Sequence, residues 1–126
     1  MNRDQFLGMV RERGEYVDRA ETERVTTSVL ELLGKRLGEE AQDVAAQLPG
    51  DLAAAVRGEG GGEGFGEQEF LHRLSQKLDA TEETALWDAS AVLSTVAEAV
   101  SGGQLNQILS RLPSGYAELF GKPELS

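Results

Sequence analysis

The chain has 126 residues and a formal net charge of −10, with 40% hydrophobic and 27% charged residues and no cysteine. This composition excludes disulfides, thiolate metal sites and cysteine nucleophiles, and it is too apolar for a disordered protein. No stretch near Met1 resembles a signal peptide, and none approaches the roughly 20 apolar residues of a membrane span. We therefore expect a folded cytoplasmic protein with no membrane partner.

The first half of the chain has apolar residues at spacings of three and four, which predicts helices and no strands. A short helix over residues 4–13 should break at Gly14, and a long helix should begin near Asp18 and end at Gly38. Shorter helices should precede and follow Pro49, because proline interrupts one helix and suits the start of the next. The core residues predicted here are Val25, Val29, Leu30, Leu33, Leu37, Ala41, Val44, Ala45, Leu48, Leu52, Ala55 and Val56.

The second half repeats this plan. The same number of residues separates Phe6 from Phe70 and Pro49 from Pro113. Matching positions of the two long helices are separated by one residue fewer. Thr81 is predicted to cap the second long helix, and Gly102-Gly103 to end it. The core residues predicted in this half are Phe70, Leu71, Leu74, Leu78, Leu86, Ala89, Leu93, Val96, Val100, Leu105, Ile108, Leu109, Leu112, Tyr116, Leu119 and Phe120.

A glycine-rich linker over residues 58–66 separates the two copies and predicts a hinge or an exposed loop. Its glycine spacing matches neither GxGxxG nor GxxxxGK[ST], so a phosphate-binding loop is not expected. Tyr16 and Phe65, near segment junctions, are predicted to anchor loops. The sequence thus predicts a single all-α domain over residues 1–126. Its fold would be a helical bundle of two similar four-helix repeats, 5–58 and 69–121, related by a pseudo-twofold axis.

Five short motifs suggest a family, namely Phe6-Leu7, Gln47-Leu48-Pro49, Phe70-Leu71, Arg111-Leu112-Pro113 and Tyr116-Ala117-Glu118-Leu119-Phe120. With these motifs the chain resembles, over about residues 5–121, the prokaryotic family called domain of unknown function 2267. The resemblance implies a small, cytoplasmic, duplicated helical domain. It brings no activity, cofactor or catalytic residues to transfer.

The residues offer little for catalysis. His72 is the only histidine and lies beside the apolar stripe of its helix, which predicts a surface side chain. Adjacent carboxylates such as Glu39-Glu40 diverge on a helix, whereas acid–base catalysis needs carboxyl groups that converge across a cleft. We therefore expect no enzyme, no cofactor and no metal.

The segment between Lys77 and Arg111 contains no Lys or Arg. Nucleic-acid binding needs clustered cations, so direct binding is not expected. The acidic segment either only maintains solubility, or it meets a basic partner or acts as an acidic decoy for a nucleic-acid-binding protein. Its Trp87 lies about 120° from Leu93 around the helix, off the core stripe. Trp87 is either an exposed contact or a plug between the copies, and the candidate interaction surface is Trp87, Glu82, Glu83 and Asp88.

Three functions stay open at this point. The first is a non-catalytic protein-interaction or regulatory module of a prokaryote, whose partner is another protein. The alternative is a carrier or sensor of a small apolar ligand, bound between the repeats in a cavity lined by Val25, Val29, Leu86 and Leu93. The third is an enzyme, which would need carboxylates facing inward from different helices, and the predicted stripes contain none.

Overall fold

The structure, a computed structural model, describes residues 1–58 and 61–122. Two residues of the predicted linker, Glu59 and Gly60, lie outside the described residues. The described residues form eight helices and no strand, which confirms the predicted all-α class. The helices are α1 (Arg3–Gly14), α2 (Arg19–Leu37), α3 (Glu40–Ala45), α4 (Gly50–Arg57), α5 (Glu67–Leu78), α6 (Glu82–Ala99), α7 (Gly102–Arg111) and α8 (Tyr116–Leu119).

The two long helices begin at the predicted caps. The Asp18 side chain accepts a hydrogen bond from the Glu21 N–H at the start of α2, and the Thr81 hydroxyl accepts one from the Thr84 N–H at the start of α6. Such side chains satisfy N–H groups that have no partner within the helix. Gly38 follows α2 with a φ of 69°, a conformation that favours glycine, so this predicted end is also confirmed.

One predicted helix end is wrong. Gly102 and Gly103 begin α7 instead of ending α6, which already stops at Ala99. The reason is that Ser101 caps α7. Its hydroxyl accepts a hydrogen bond from the Gln104 N–H at the start of that helix.

The turn between α1 and α2 begins with the same backbone conformation as the turn between α5 and α6. Glu15 and Asp79, which follow the two matching short helices, both adopt left-handed φ values, of 55° and 52°. In each turn the next N–H bonds back to a carbonyl five residues earlier, from Tyr16 to Arg11 and from Ala80 to Ser75. These bonds satisfy carbonyl groups at the helix end.

The two halves of the chain share one hydrophobic core. Helix α1 packs on α6, α5 packs on α2, and α2 packs on α6. The predicted core residues are buried with few exceptions, and Val29, Leu33, Leu93 and Val96 are fully buried. Each long helix is therefore covered by the first helix of the other half.

Leu86 is the main exception, because 46% of it is exposed, so its place in the predicted stripe is wrong. Helix α6 instead turns Ala85, Ala89 and Val92 inward, at spacings of four and three. Leu86 follows Ala85 by one residue, about 100° around the helix, and this step moves its side chain out of the core.

The described part of the linker is anchored to the helices. The Glu63 N–H donates to the Lys35 carbonyl over 3.1 Å. Phe65 is buried, and its carbonyl accepts hydrogen bonds from Arg36 Nε over 2.6 Å and from the Tyr116 hydroxyl over 2.9 Å. This confirms Phe65 as a loop anchor.

Candidate interaction surface

Two large apolar side chains lie next to each other on the outside of α6. Leu86 is 46% exposed and Trp87 is 50% exposed. They lie in a groove of about 420 Å³ between α6 and the end of α1. We call this groove the Trp87 surface, and it is lined by Arg13, Glu83, Leu86, Trp87, Ser90, Ala91 and Ser94.

The Trp87 indole is held in place by the other half of the chain. Its Nε1–H donates to the Gly14 carbonyl over 2.9 Å. The polar edge of the ring is thus satisfied within the protein, while half of the residue stays accessible. The sequence left open whether Trp87 is exposed or fills the seam between the halves; it is half exposed, and its indole N–H binds the end of α1. A ring fixed in this way loses little conformational freedom when a partner covers it.

Asp88 is not on this surface, so its place among the candidate residues is wrong. It is 5% exposed because it lies three residues after buried Ala85, on the inner face of α6. Its Oδ1 accepts a hydrogen bond of 2.5 Å from the Tyr16 hydroxyl. Burial raises the pKa of Asp88, and the Tyr16 hydrogen bond opposes this; Glu21 raises the pKa further and Arg24 lowers it.

Tyr16 anchors the α1–α2 turn, as predicted. Burial and the neighbouring Asp88 carboxylate raise the pKa of Tyr16, so its phenol stays protonated and donates. Trp87 and Asp88 are adjacent on α6 and bind the same turn, one through Gly14 and the other through Tyr16. The turn is therefore fixed against the helix that carries the exposed apolar pair.

The N-terminal end of the groove is acidic. Glu82 and Glu83 lie exposed in the first turn of α6, as predicted, and Glu83 lines the groove. The Oε2 atom of Glu82 is 3.9 Å from Nδ1 of His72, whose side chain is 50% exposed, in agreement with the predicted surface position. Two carboxylates outweigh the partial positive charge of about 0.5 at a helix N-terminus, so this end is negative.

The other end of the groove is close to neutral. Arg13 forms an ion pair with Glu98 and donates to the Ser94 hydroxyl over 3.0 Å. The Glu98 carboxylate therefore already compensates the positive charge of Arg13, and the Arg13 guanidinium is held against α6.

The described residues contain two buried carboxylates and no metal-binding group. Among them, no three His, Cys, Asp or Glu side chains lie close enough to hold a metal ion. Glu40 and Asp88 are both buried, although the predicted stripes contained no inward carboxylate. They lie on different helices, and each has its own partner, Arg111 for Glu40 and Tyr16 for Asp88.

The cavity that a carrier would need is not formed by the residues predicted to line it. Val29 and Leu93 are fully buried in the shared core, whereas Leu86 faces outward. These side chains therefore do not face one common space.

The sequence model of a family described as an uncharacterized conserved protein, DUF2267, matches residues 3–119. The chain belongs to this family. The match confirms the resemblance drawn from the five motifs, and the family description assigns no activity. No curated protein matches the chain. Within residues 1–58 and 61–122, no helix has both the length and the apolar character required to cross a bilayer.

Proposed function

We propose that this protein is a non-catalytic interaction module that binds another protein through the Trp87 surface. The observation that carries the proposal is the pair of adjacent, half-exposed apolar side chains, Leu86 and Trp87, in a groove. Aromatic residues are enriched among the side chains that dominate binding energy, and apolar groups clustered in a concave site often mark contact sites.

The position of the groove supports this function. The groove follows α6, Arg13 at the end of α1 lines its side, and the Gly14 carbonyl already fixes the indole before a partner arrives. Binding would then require little reordering of the surface, which favours affinity. Glu82 and Glu83 at one end would repel phosphate, so a protein is a better partner than a nucleic acid.

We also propose that residues 5–58 and 69–121 are repeats related by a pseudo-twofold axis between α2 and α6. Reciprocal packing supports this, since α1 lies on α6 and α5 lies on α2. The matching left-handed residues Glu15 and Asp79 support it as well. In such an arrangement the Trp87 surface would be a local departure from symmetry.

The alternative function, a carrier or sensor of a small apolar ligand, has no comparable observation in its favour. It would need an apolar space between the halves, whereas the cleft of about 260 Å³ at the seam has Glu21, Arg24 and Asp88 beside Val25 in its lining, and Val29 and Leu93 are fully buried. We therefore retain the interaction module as the single proposal.

Site-specific photo-crosslinking in cells that express the protein at its natural level tests this proposal. A benzophenone amino acid would replace Leu86 and, as the control, exposed Gln107 on α7. We expect a discrete crosslinked protein from position 86 that is absent or much weaker from position 107. Equal crosslinking from both positions, or none from position 86, would contradict the proposal.

A further inference from the structure

We infer that the partner segment in the groove is an amphipathic helix whose apolar stripe covers Leu86 and Trp87 and whose Lys or Arg side chains face Glu82 and Glu83. This inference rests on the proposed function and adds the chemistry and the orientation of the partner.

The charge distribution gives the groove a direction. Exposed Glu83 lines its N-terminal end and exposed Glu82 precedes it on the helix, whereas at the other end Glu98 is already paired with Arg13. No Lys or Arg lies between Lys77 and Arg111 in the sequence, so α6 itself carries no cation. A partner with cations at one end of its apolar stripe is complementary to this pattern, and such complementarity selects and orients partners.

The shape of the groove suits a helix. From Glu83 to Ser94 its floor follows α6 for about three turns, which corresponds to about 16 Å along the axis. Beyond the apolar pair the floor has the small, half-buried Ser90, which lets a second helix approach closely, whereas Ala91 is buried and the Arg13 guanidinium lies against Ser94. A helix that lays an apolar face into a groove is a common recognition mode.

A second copy of this chain is a poor occupant of the groove, because the chain is itself acidic. Each copy carries a net charge of −10, and pairing two copies through this face would bring the Glu82 and Glu83 carboxylates into another acidic protein. Like charges brought together at an interface disfavour association. Self-association is therefore an outcome that the experiment must be able to detect.

Intrinsic fluorescence provides the test, because Trp87 is the only tryptophan in the chain. The probes are two synthetic amphipathic peptides of equal length, each about four helical turns long and without tryptophan. They share one leucine stripe, and their polar positions are lysine in one and glutamate in the other. We expect the lysine peptide to shift the Trp87 emission to shorter wavelength and to bind at least about tenfold more tightly than the glutamate peptide at low salt.

Two double variants of equal net charge distinguish an effect of the acidic end of the groove from an effect of the net charge of the protein. Glu82→Gln/Glu83→Gln removes the acidic end of the groove, and Glu39→Gln/Asp43→Asn removes two carboxylates near α3, far from the groove in sequence. The first should weaken the lysine peptide by about five- to tenfold and the second by less than about twofold. Leu86→Ser, which keeps the fluorescent reporter, should weaken it by at least about tenfold.

Several outcomes would overturn the inference. Equal losses in the two double variants would show that the peptide responds only to net charge, and unchanged binding to Leu86→Ser would place it elsewhere. Equal affinity for the glutamate peptide would reject a basic partner. A dimer in sedimentation analysis that Leu86→Ser dissociates would identify a second copy as the occupant.

The crosslinking experiment distinguishes failure of this inference from failure of the proposed function. A partner captured from position 86 through a segment that is not a basic amphipathic helix would leave the interaction module standing and reject only its inferred partner.

Discussion

Helices α2 and α6 have matching cores and different surfaces. Val29 in α2 and Val92 in α6 occupy corresponding positions and are both fully buried. The same alignment pairs exposed Leu86 with Glu23, which forms ion pairs with arginines of the first half, Arg3 and Arg19. Apolar surface in α6 thus replaces charged surface in α2, although both helices satisfy the same packing demands. The core does not require this difference, which supports the proposed interaction surface.

Two residues after Leu86, the polar residue is in α6 and the apolar one is in α2. Asp88 of α6 corresponds to buried Val25 of α2, and Tyr16, which donates to Asp88, corresponds to Ala80 in the matching turn. Tyr16 and Asp88 therefore form a polar pair, whereas the corresponding residues, Ala80 and Val25, are apolar. All four residues line one cleft of about 260 Å³ between the two halves.

The largest expected effect comes from the shared core. Leu30 and Leu93, at corresponding positions of α2 and α6, are both fully buried. Leu30→Ala and Leu93→Ala should each lower the free energy of unfolding by about 3 kcal/mol, because each leaves a cavity in the same core. Urea denaturation followed by circular dichroism should show one transition in both variants. Two separate transitions would mean that the halves fold independently and would reject a shared core.

Tyr116 tests a difference between the C-terminal ends of the two halves, because Leu52 occupies the corresponding position of the first half. The Tyr116 ring packs edge-on against Phe70 at a centroid distance of 5.7 Å, and its hydroxyl binds the Phe65 carbonyl. Tyr116→Leu should therefore cost about 2 kcal/mol in denaturant unfolding.

Tyr116→Phe is the matched control, and it should cost about 1 kcal/mol by removing only the hydroxyl. The same hydroxyl is buried, which raises the pKa of Tyr116 to about 12. A Tyr116→Leu protein as stable as the parent would show that the linker needs no anchor from α8.

Asp88→Asn should change how stability depends on pH. Because burial raises the pKa of Asp88 in the folded state, the folded protein binds this proton more tightly than the unfolded chain. The resulting stabilisation is complete below the pKa of the unfolded chain and is lost as the pH rises through the raised folded pKa. At pH 7 the variant should therefore gain roughly 1 kcal/mol, since its amide oxygen still accepts from Tyr16 without a buried charge.

Thermal unfolding of both proteins between pH 4 and pH 7 measures this effect. The variant should gain stability relative to the parent as the pH rises. A difference that is constant across the range, or one that shrinks toward pH 7, would contradict the account of Asp88.

The smallest expected effect on stability belongs to the exposed position. Leu86→Glu places on α6 the residue type that α2 has at the corresponding position, Glu23. Because nearly half of Leu86 is already exposed, the free energy of unfolding should change by less than about 0.5 kcal/mol. A loss above about 2 kcal/mol would show that Leu86 is a packing residue.

Periodicity and caps predicted most of the fold, and the main errors fall on α6. Asp18 and Thr81 have the side chains that start helices, and the α2 stripe is flanked by charged residues that fix its phase. Around α6, small and apolar residues such as Ala85, Leu86 and Ala91 occupy several faces, so the buried side is ambiguous by about one residue. An error of one residue in the buried side explains the prediction that Leu86 is in the core and Asp88 on the surface.

The candidate site was only partly predictable. Trp87, Glu82 and Glu83 could be chosen because composition and helical phase place them off the stripe. The bonds from Trp87 to Gly14 and from Tyr16 to Asp88 could not, because they depend on how α1 packs against α6. The cytoplasmic location and the identity of the partner stay predictions.

The most direct measurement compares the parent with the double variant Leu86→Glu/Trp87→Arg, which gives α6 the residues that α2 has at Glu23 and Arg24. Circular dichroism would first establish that the variant is folded. A benzophenone at the neighbouring groove position Ser90 would then report the partner in cells for both proteins. The account predicts a folded variant that has lost the crosslinked partner. A folded variant that captures the same partner at the parental level would contradict the claim that the Trp87 surface is the binding site.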